Sequence, residues 1–352
     1  MDLIKLEEIL FIAAIFSYLV CSGIYIWYLV SRNRKAASLG TALLALGLTA
    51  HTVALILRWI TSGHAPMANH YESLSVFGWA IMLFYLTAEK FYPIRAAGAL
   101  VVPSGFIISS VALVFYSGPE PLAPALQSIW LWIHVSIAML SYGLFALSFG
   151  VGFIYVVQEY LLKKNYDHVM GAFLILFALL GLVFGMWAGS YWAEPARVIA
   201  DESTGAVKSV WSGSDYAKMF GGAGVGLVLA LFLGYAAGKG ASRQAFAKRL
   251  PSLDVLDEVS YRGIAFGFPL LTIGIVTGAI WADQAWGRWW GWDPKETWSL
   301  ITWLFYGAYL HTRLTMGWRG RHSAVLAIAG IVVVMFTYLG VNLFLSGLHS
   351  YA

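Results

Sequence analysis

Cysteine and charge are what this chain has least of. One cysteine, Cys21, in 352 residues leaves no partner for an internal disulfide and excludes CxxC redox and zinc motifs. Any thiol chemistry around the protein therefore belongs to a partner. Charged residues make up 11% of the chain and hydrophobic ones 60%. That balance excludes a soluble domain, which could bury a core but could not hide so much apolar surface, and points to an integral membrane protein. The apolar-polar alternation of a transmembrane barrel strand is missing, as are internal repeats and low-complexity tracts. The N-terminus, MDLIKLEEIL, lacks the basic start and small-residue cleavage site of a removable signal peptide, so the first apolar segment is expected to stay. The net charge of +4 calls for no nucleic acid, because it follows from the way basic residues are distributed between apolar segments.

Ten apolar segments are present, near residues 9–30, 39–60, 71–89, 97–116, 128–161, 170–190, 219–238, 262–281, 297–316 and 323–346. A helical crossing needs roughly 20 apolar residues, and every backbone amide in lipid needs an internal partner. An all-α fold is expected: a polytopic transmembrane bundle of about ten spans forming a single membrane domain over 1–352. One set of connections holds 15 of the 22 Lys and Arg, Arg32, Arg95, Lys248, Arg313 and Arg321 among them. The other is richer in acids, among them Glu72, Glu120, Asp283, Asp293 and Glu296. The basic side is expected to be cytoplasmic, which places both termini, a loop at 191–218 and a tryptophan-rich segment at 281–298 outside. The inner connection at 239–261 contains LPSLDVLDEVS, which reads as a short surface helix.

Tryptophan is what the chain has in excess. WADQAWGRWWGWDPKETWSLITW, from Trp281 to Trp303, holds seven of its sixteen tryptophans. Asp293, Pro294 and Glu296 read as a helix start, with Asp as N-cap, Pro at the first position and Glu three residues on. That pattern does not account for Trp286, Trp289, Trp290 and Trp292, which precede it and form a plate at the bilayer boundary. Among eight histidines, His134 lies two turns into its span and His349 just past the last span, both on the tryptophan side. Two neutral imidazoles at that level match the axial ligands of a haem iron. His311 and His51 lie within spans, where ionisable groups are by default functional; a helix-to-helix hydrogen bond is the plain alternative for His51. His64, His70, His168 and His322 read as solvated loop residues.

The run WGRWWGWDPKETWSLITWLFYGAYLHTR and the ending GVNLFLSGLHSYA resemble the CcsA/ResC type of cytochrome c biogenesis proteins. RWITSGHAPMANHYESLSVFGW and WLWIHVSIAMLSYGLFALSFG resemble the same family, so the likeness covers expected spans two, three, five and eight to ten. It implies a holocytochrome c synthase component in the bacterial cytoplasmic (inner) membrane, with its active site on the outer, periplasmic face. Haem b would cross the membrane and be presented to the CxxCH motif of apocytochrome c for thioether attachment. The partners implied are a CcsB/ResB-type membrane protein, without which the chain is not expected to be active, apocytochrome c, and thioredoxin-like proteins that reduce it; the lipid bilayer is its surroundings. By residue, the likeness assigns His134 and His349 as outer axial ligands, His311 as a histidine within the membrane that helps receive haem, and Trp286, Trp289, Trp290, Trp292 and Asp293 as the haem platform.

The two haem propionates require cations near the outer boundary, and Arg58, Arg288 and Lys295 are the candidates. Glu72 lies in a matched stretch without an evident chemical role. The region from Lys163 to Arg262 is not covered by the matching motifs, and the chain has no large outer domain like that of the partner family. Two other readings use the same residues. A haem exporter or chaperone of the CcmC/CcmF type would share the plate, and a b-type electron-transferring cytochrome would hold permanent haems between histidine pairs.

Overall fold

The computed structural model describes residues 2–122, 124–162, 197–200, 207–210, 247–345 and 347. The chain divides into two compact units, Met1–Lys163 with Arg243–Ala352, and Lys164–Ser242. The 281–298 segment lies in the first and the 191–218 loop in the second. In the second unit the described residues form one antiparallel hairpin, β1 (Arg197–Ala200) with β2 (Val207–Val210), Arg197 facing Val210. The expected spans at 170–190 and 219–238 lie outside the described residues.

The first unit is helical, as the long apolar runs require. Its elements are α1 (Leu3–Ser31), α2 (Arg34–Ser62), α3 (His70–Phe91), α4 (Gly98–Val114), α5 (Ile129–Leu162), α6 (Leu253–Trp286), α7 (Pro294–Thr315) and α8 (Arg321–Met335). A π turn, Phe336–Gly340, and a last helical turn, α9 (Val341–Phe344), continue α8. Among the described residues seven helical segments are long and apolar enough to cross a membrane: α1, α2, α3, α4 with its leading turn, α5, α6, and α8 with the π turn. The expected span at 297–316 is helical, as α7, but is not in that apolar group; it buries Glu296, Thr302, Tyr306, Tyr309 and Arg313 on one face. LPSLDVLDEVS is not a separate surface helix. Ser252 caps its start, accepting from Val255 N, and the stretch runs straight into α6 because nothing after it breaks the helix.

Helix α5 packs along α6, α1 along α2, and α3 against α4 and α5, with α8 on α5. Small residues allow the α5–α6 approach: Ser141 Oγ donates to Gly267 O at 2.8 Å and Ser260 Oγ to Ser148 O at 3.1 Å, close contacts that membrane helices use where no hydrophobic force drives them together.

Two sets of contacts define the two ends of this unit. At the tryptophan end, Arg58 of α2 bonds Glu72 of α3 at 2.9 Å and approaches Glu7 of α1 at 3.9 Å, all three buried. Trp59 meets Trp132 edge-on, and Ser128 Oγ donates to Gln284 at 2.8 Å. At the other end Arg32 donates to Lys248 O, Arg95 pairs with Glu89, and Arg313 pairs with Asp257 at 2.8 Å.

Candidate functional site

At the tryptophan end α3, α5 and α6, the head of α7, the π turn and α9 line a cleft with a cavity volume of about 160 Å³ behind an open mouth. His134 is in its wall. Its Nδ1 lies 2.6 Å from Gly274 O. A carbonyl oxygen only accepts, so Nδ1 carries the proton and the lone pair sits on Nε2, the tautomer a metal-binding imidazole needs. Trp281 lies nearly parallel to the ring, centroids 6.4 Å apart and planes at 13°. Gly278 completes the seat, since a Cβ there would come within 2.7 Å of the imidazole.

The tryptophans form two tiers. Trp289 and Trp290 line the cleft. Trp292 is 69% exposed and stands edge-on to Trp290 at 5.8 Å. Trp286 instead packs on Trp281 at 4.8 Å, within an apolar cluster that includes Leu126 and Leu131. Trp281 was not among the expected plate residues, and Gly274, Gly278 and Trp281 share one face of α6 at helical spacing. Small residues there were the available sign of a close partner.

The head of α7 is built as expected: Asp293 caps it, Pro294 follows, and Glu296 completes a capping box. Glu296 Oε2 accepts from Gly291 N at 2.7 Å and Asp293 N at 3.2 Å. This holds Trp292 at φ 55, a conformation uncommon for a bulky side chain and one that needs support from its surroundings. Asp293 is buried and its carboxylate caps the helix, a supporting role beneath the plate.

Of the three expected cations only Lys295 lines the cleft. Its Nζ donates to Asn342 Oδ1 at 2.7 Å. Lys295 precedes the 297–316 stretch, and burial lowers its ammonium from 10.5 to about 8, against a raising effect from Asp293. Arg58 is 2% exposed and committed to Glu72, with a further bond to Gly118 O at 3.1 Å. That pairing supplies the role Glu72 lacked in sequence: its other oxygen accepts from Ala68 N and ties down the loop before α3. Arg288 is exposed and folded over Gly291.

The remaining histidines separate by surroundings. His51 is fully buried between α1 and α3, with Tyr18 OH 3.1 Å from Nδ1 and Ser75 Oγ 2.9 Å from Nε2, so both nitrogens are engaged away from the cleft. His311 is exposed on the outward face of α7 in line with Ile301, Leu304 and Ala308. His64 is buried, its nitrogens 3.0 Å from Ala65 O and 3.1 Å from Glu120 O, not solvated as expected, because two loops close over it. His70 is no loop residue either: it opens α3 and lines the cleft. His322 packs at 5.2 Å on Trp318. His349 and His168 lie outside the described residues. Sequence reasoning also missed Tyr142, Tyr338 and Asn342 in the lining; the π turn, a feature frequent at functional sites, presents Tyr338 and leads into α9, which presents Asn342, and it had no sequence signature.

Residues 67–197 and 217–349 match the profile of a family described as Cytochrome C assembly protein. The chain is similar to cytochrome c biogenesis proteins named CcsA. With that of Rippkaea orientalis it is 37% identical over 326 residues, 89% of this chain and 88% of the relative. With that of Gloeobacter violaceus it is 35% identical over 356 residues, 99% and 97% of the two chains. With that of Nostoc punctiforme it is 38% identical over 326 residues, 90% and 88%.

Proposed function

This chain belongs to the cytochrome C assembly protein family, of the CcsA type, and from that premise we propose that it is the haem-handling membrane subunit of a cytochrome c synthase. In this reading it moves haem b to the outer, periplasmic face of the bacterial inner membrane and presents it to apocytochrome c. Each cysteine thiol of the CxxCH motif then adds across a vinyl double bond: sulfur bonds one carbon, hydrogen goes to the other, and nothing leaves. No strong acid or base is needed, so the work of this chain is positioning at reacting distance.

The observation that carries the reading is His134, locked by Gly274 O with its lone pair on Nε2, in a cleft walled by Trp281, Trp289 and Trp290. A flat ring with a central metal fits that donor and that lining. His349 is assigned as the second axial ligand. Gly347, two residues before it, lies against Asp293 and Pro294 at the head of α7, and two residues of extended chain reach at most about 7 Å. Two imidazoles leave no open iron position for oxygen, Trp289, Trp290 and Trp292 keep water from the ring, and Lys295 meets a propionate.

His311 is assigned to haem inside the membrane. It faces outward on α7, where an ionisable side chain against lipid is costly. A CcsB/ResB-type partner that covers this stripe and adds a second ligand removes that cost. Cys21 is fully buried, so reduction of the apocytochrome thiols falls to separate thioredoxin-like proteins.

The test is the absorption spectrum of the protein purified with its partner. Wild type is expected to show six-coordinate haem b, and His134→Gly or His349→Gly a high-spin or haem-free spectrum with loss of covalent maturation, partly restored by added imidazole. Absence of haem from the wild type would return the tryptophans to the role of an interfacial anchor.

A further inference from the structure

The polar groups of the cleft wall converge where the first turns of α3 and α7 meet the short helix α9. Lys295 Nζ donates to Asn342 Oδ1 at 2.7 Å, and Asn342 Nδ2 lies 3.0 Å from His70 Nε2. The amide oxygen accepts from lysine, so the amide nitrogen is the donor to Nε2, and His70 carries its proton on Nδ1. That Nδ1–H makes no hydrogen bond among the described residues. The His70 ring is stacked on Phe115, centroids 5.3 Å apart and planes at 30°, so its direction is set. His70, Asn342 and Lys295 all line the cleft.

Asp293 is the carboxylate near enough to favour the Lys295 ammonium, but among the described residues no carboxylate forms an ion pair with it, and its other contacts are Tyr338 O at 3.4 Å and the Tyr338 ring at 5.8 Å. A half-buried cation whose nearest carboxylate is held as a helix cap, and not paired to it, is left able to take an anion. A tie between α7 and α3 alone would be served by two neutral side chains. A cation and a donor imidazole, joined through one amide and both opening on a ligand cleft, suit a ligand with acidic groups on one edge.

We propose that Lys295 and His70, joined by Asn342, are the acid-recognition end of the cleft, and that they select a porphyrin with free carboxylates over its neutral ester. The proposal rests on the haem reading above, which contains Lys295, and adds to it His70, Asn342 and a selectivity that the reading does not contain. Lys295 forms an ion pair with one carboxylate, the Nδ1–H of His70 donates to the other, and Asn342 holds both donors in register.

The test uses the full-length protein in detergent, titrated with haemin and with haemin dimethyl ester, and reads both dissociation constants by absorption. A charge-assisted contact of roughly 1.5–3 kcal/mol corresponds to a preference of about 10- to 100-fold for the free acid in wild type. Lys295→Met and His70→Leu are each expected to cut that preference about 10-fold with ester affinity unchanged, which also shows that the variants are folded. Lys295→Arg, which keeps the charge, is expected to retain most of it, and with Lys295→Gln decides the matter should Lys295→Met lose ester binding. Acid preference that persists undiminished in the Lys295 and His70 variants overturns the proposal, as does equal binding of acid and ester by wild type, in which case the haem reading stands. Failure of wild type to bind either form overturns the haem reading itself.

Discussion

His134 is held by one carbonyl, one indole and the absence of one methyl group. The last is the easiest to change: Gly278→Ala would put a carbon 2.7 Å from the imidazole, so the ring must turn and its 2.6 Å bond to Gly274 O must break. Haem occupancy is expected to fall several-fold while the melting temperature changes little, read by absorption and thermal unfolding on the same sample. Lys295 makes a second prediction through pH. Its ammonium titrates at about 8 instead of 10.5, with Asp293 and, through Asn342, His70 as neighbours. Preference for an acidic ligand is therefore expected below about pH 8 and lost as pH rises through that value. Stability runs the other way. The unfolded chain binds the extra proton between pH 8 and 10.5, so at this group the empty protein gains stability as pH rises across that window. Opposite slopes for binding and for unfolding would identify Lys295, and parallel slopes would exclude it.

Helix ends, more than helix interiors, shape the site. The head of α7 is a capping box whose glutamate also accepts from Gly291 N, and that second use keeps Trp292 in its left-handed conformation. The ends of α1, α2 and α3 are joined by Glu7, Arg58 and Glu72, each no more than 2% exposed. Removing one member of a buried ion group leaves charge without a partner, at a cost of about 3–5 kcal/mol. Arg58→Ala is expected to lower the unfolding temperature by several degrees, whereas Arg58→Met with Glu72→Leu recovers part of the loss. A double variant no better than the single one would show that Glu72 does not depend on Arg58.

Considered as one body, the described helical unit keeps its polar side chains inside and turns apolar ones outward, as a protein surrounded by lipid must. Phe16, Leu46, Phe266 and Val332 are all more than half exposed. Helix α7 departs from this pattern, since its outward stripe of Ile301, Leu304 and Ala308 also carries His311. If a partner helix covers that stripe, Leu304→Trp with Ala308→Trp should abolish co-purification of the partner without altering the melting temperature of the isolated chain. His311→Gly should leave the pair intact and lower the haem that reaches the outer cleft. Co-purification undiminished in the double tryptophan variant would move the interface elsewhere. Trp318, on the basic end, should tolerate replacement far better than Trp289.

Run length alone announced a membrane-embedded helical protein, because the need for internal backbone partners in lipid acts on any stretch of roughly 20 apolar residues wherever it lies. The cap at Asp293 was legible for the same reason, since its partners are two and three residues away. The proposed haem roles of His134 and the tryptophans rest on motif resemblance; what the fold adds is that His134, Trp289 and Trp290 line one cleft. Other matters waited for the fold: Trp281 as the indole on His134, His51 as a buried tie, Arg58 as a buried ion pair with Glu72, and His70 with Asn342, 272 residues apart, as one polar wall. Each depends on which side chain from another helix arrives within about 3 Å, the range over which hydrogen bonds act, and a linear pattern carries no such distances.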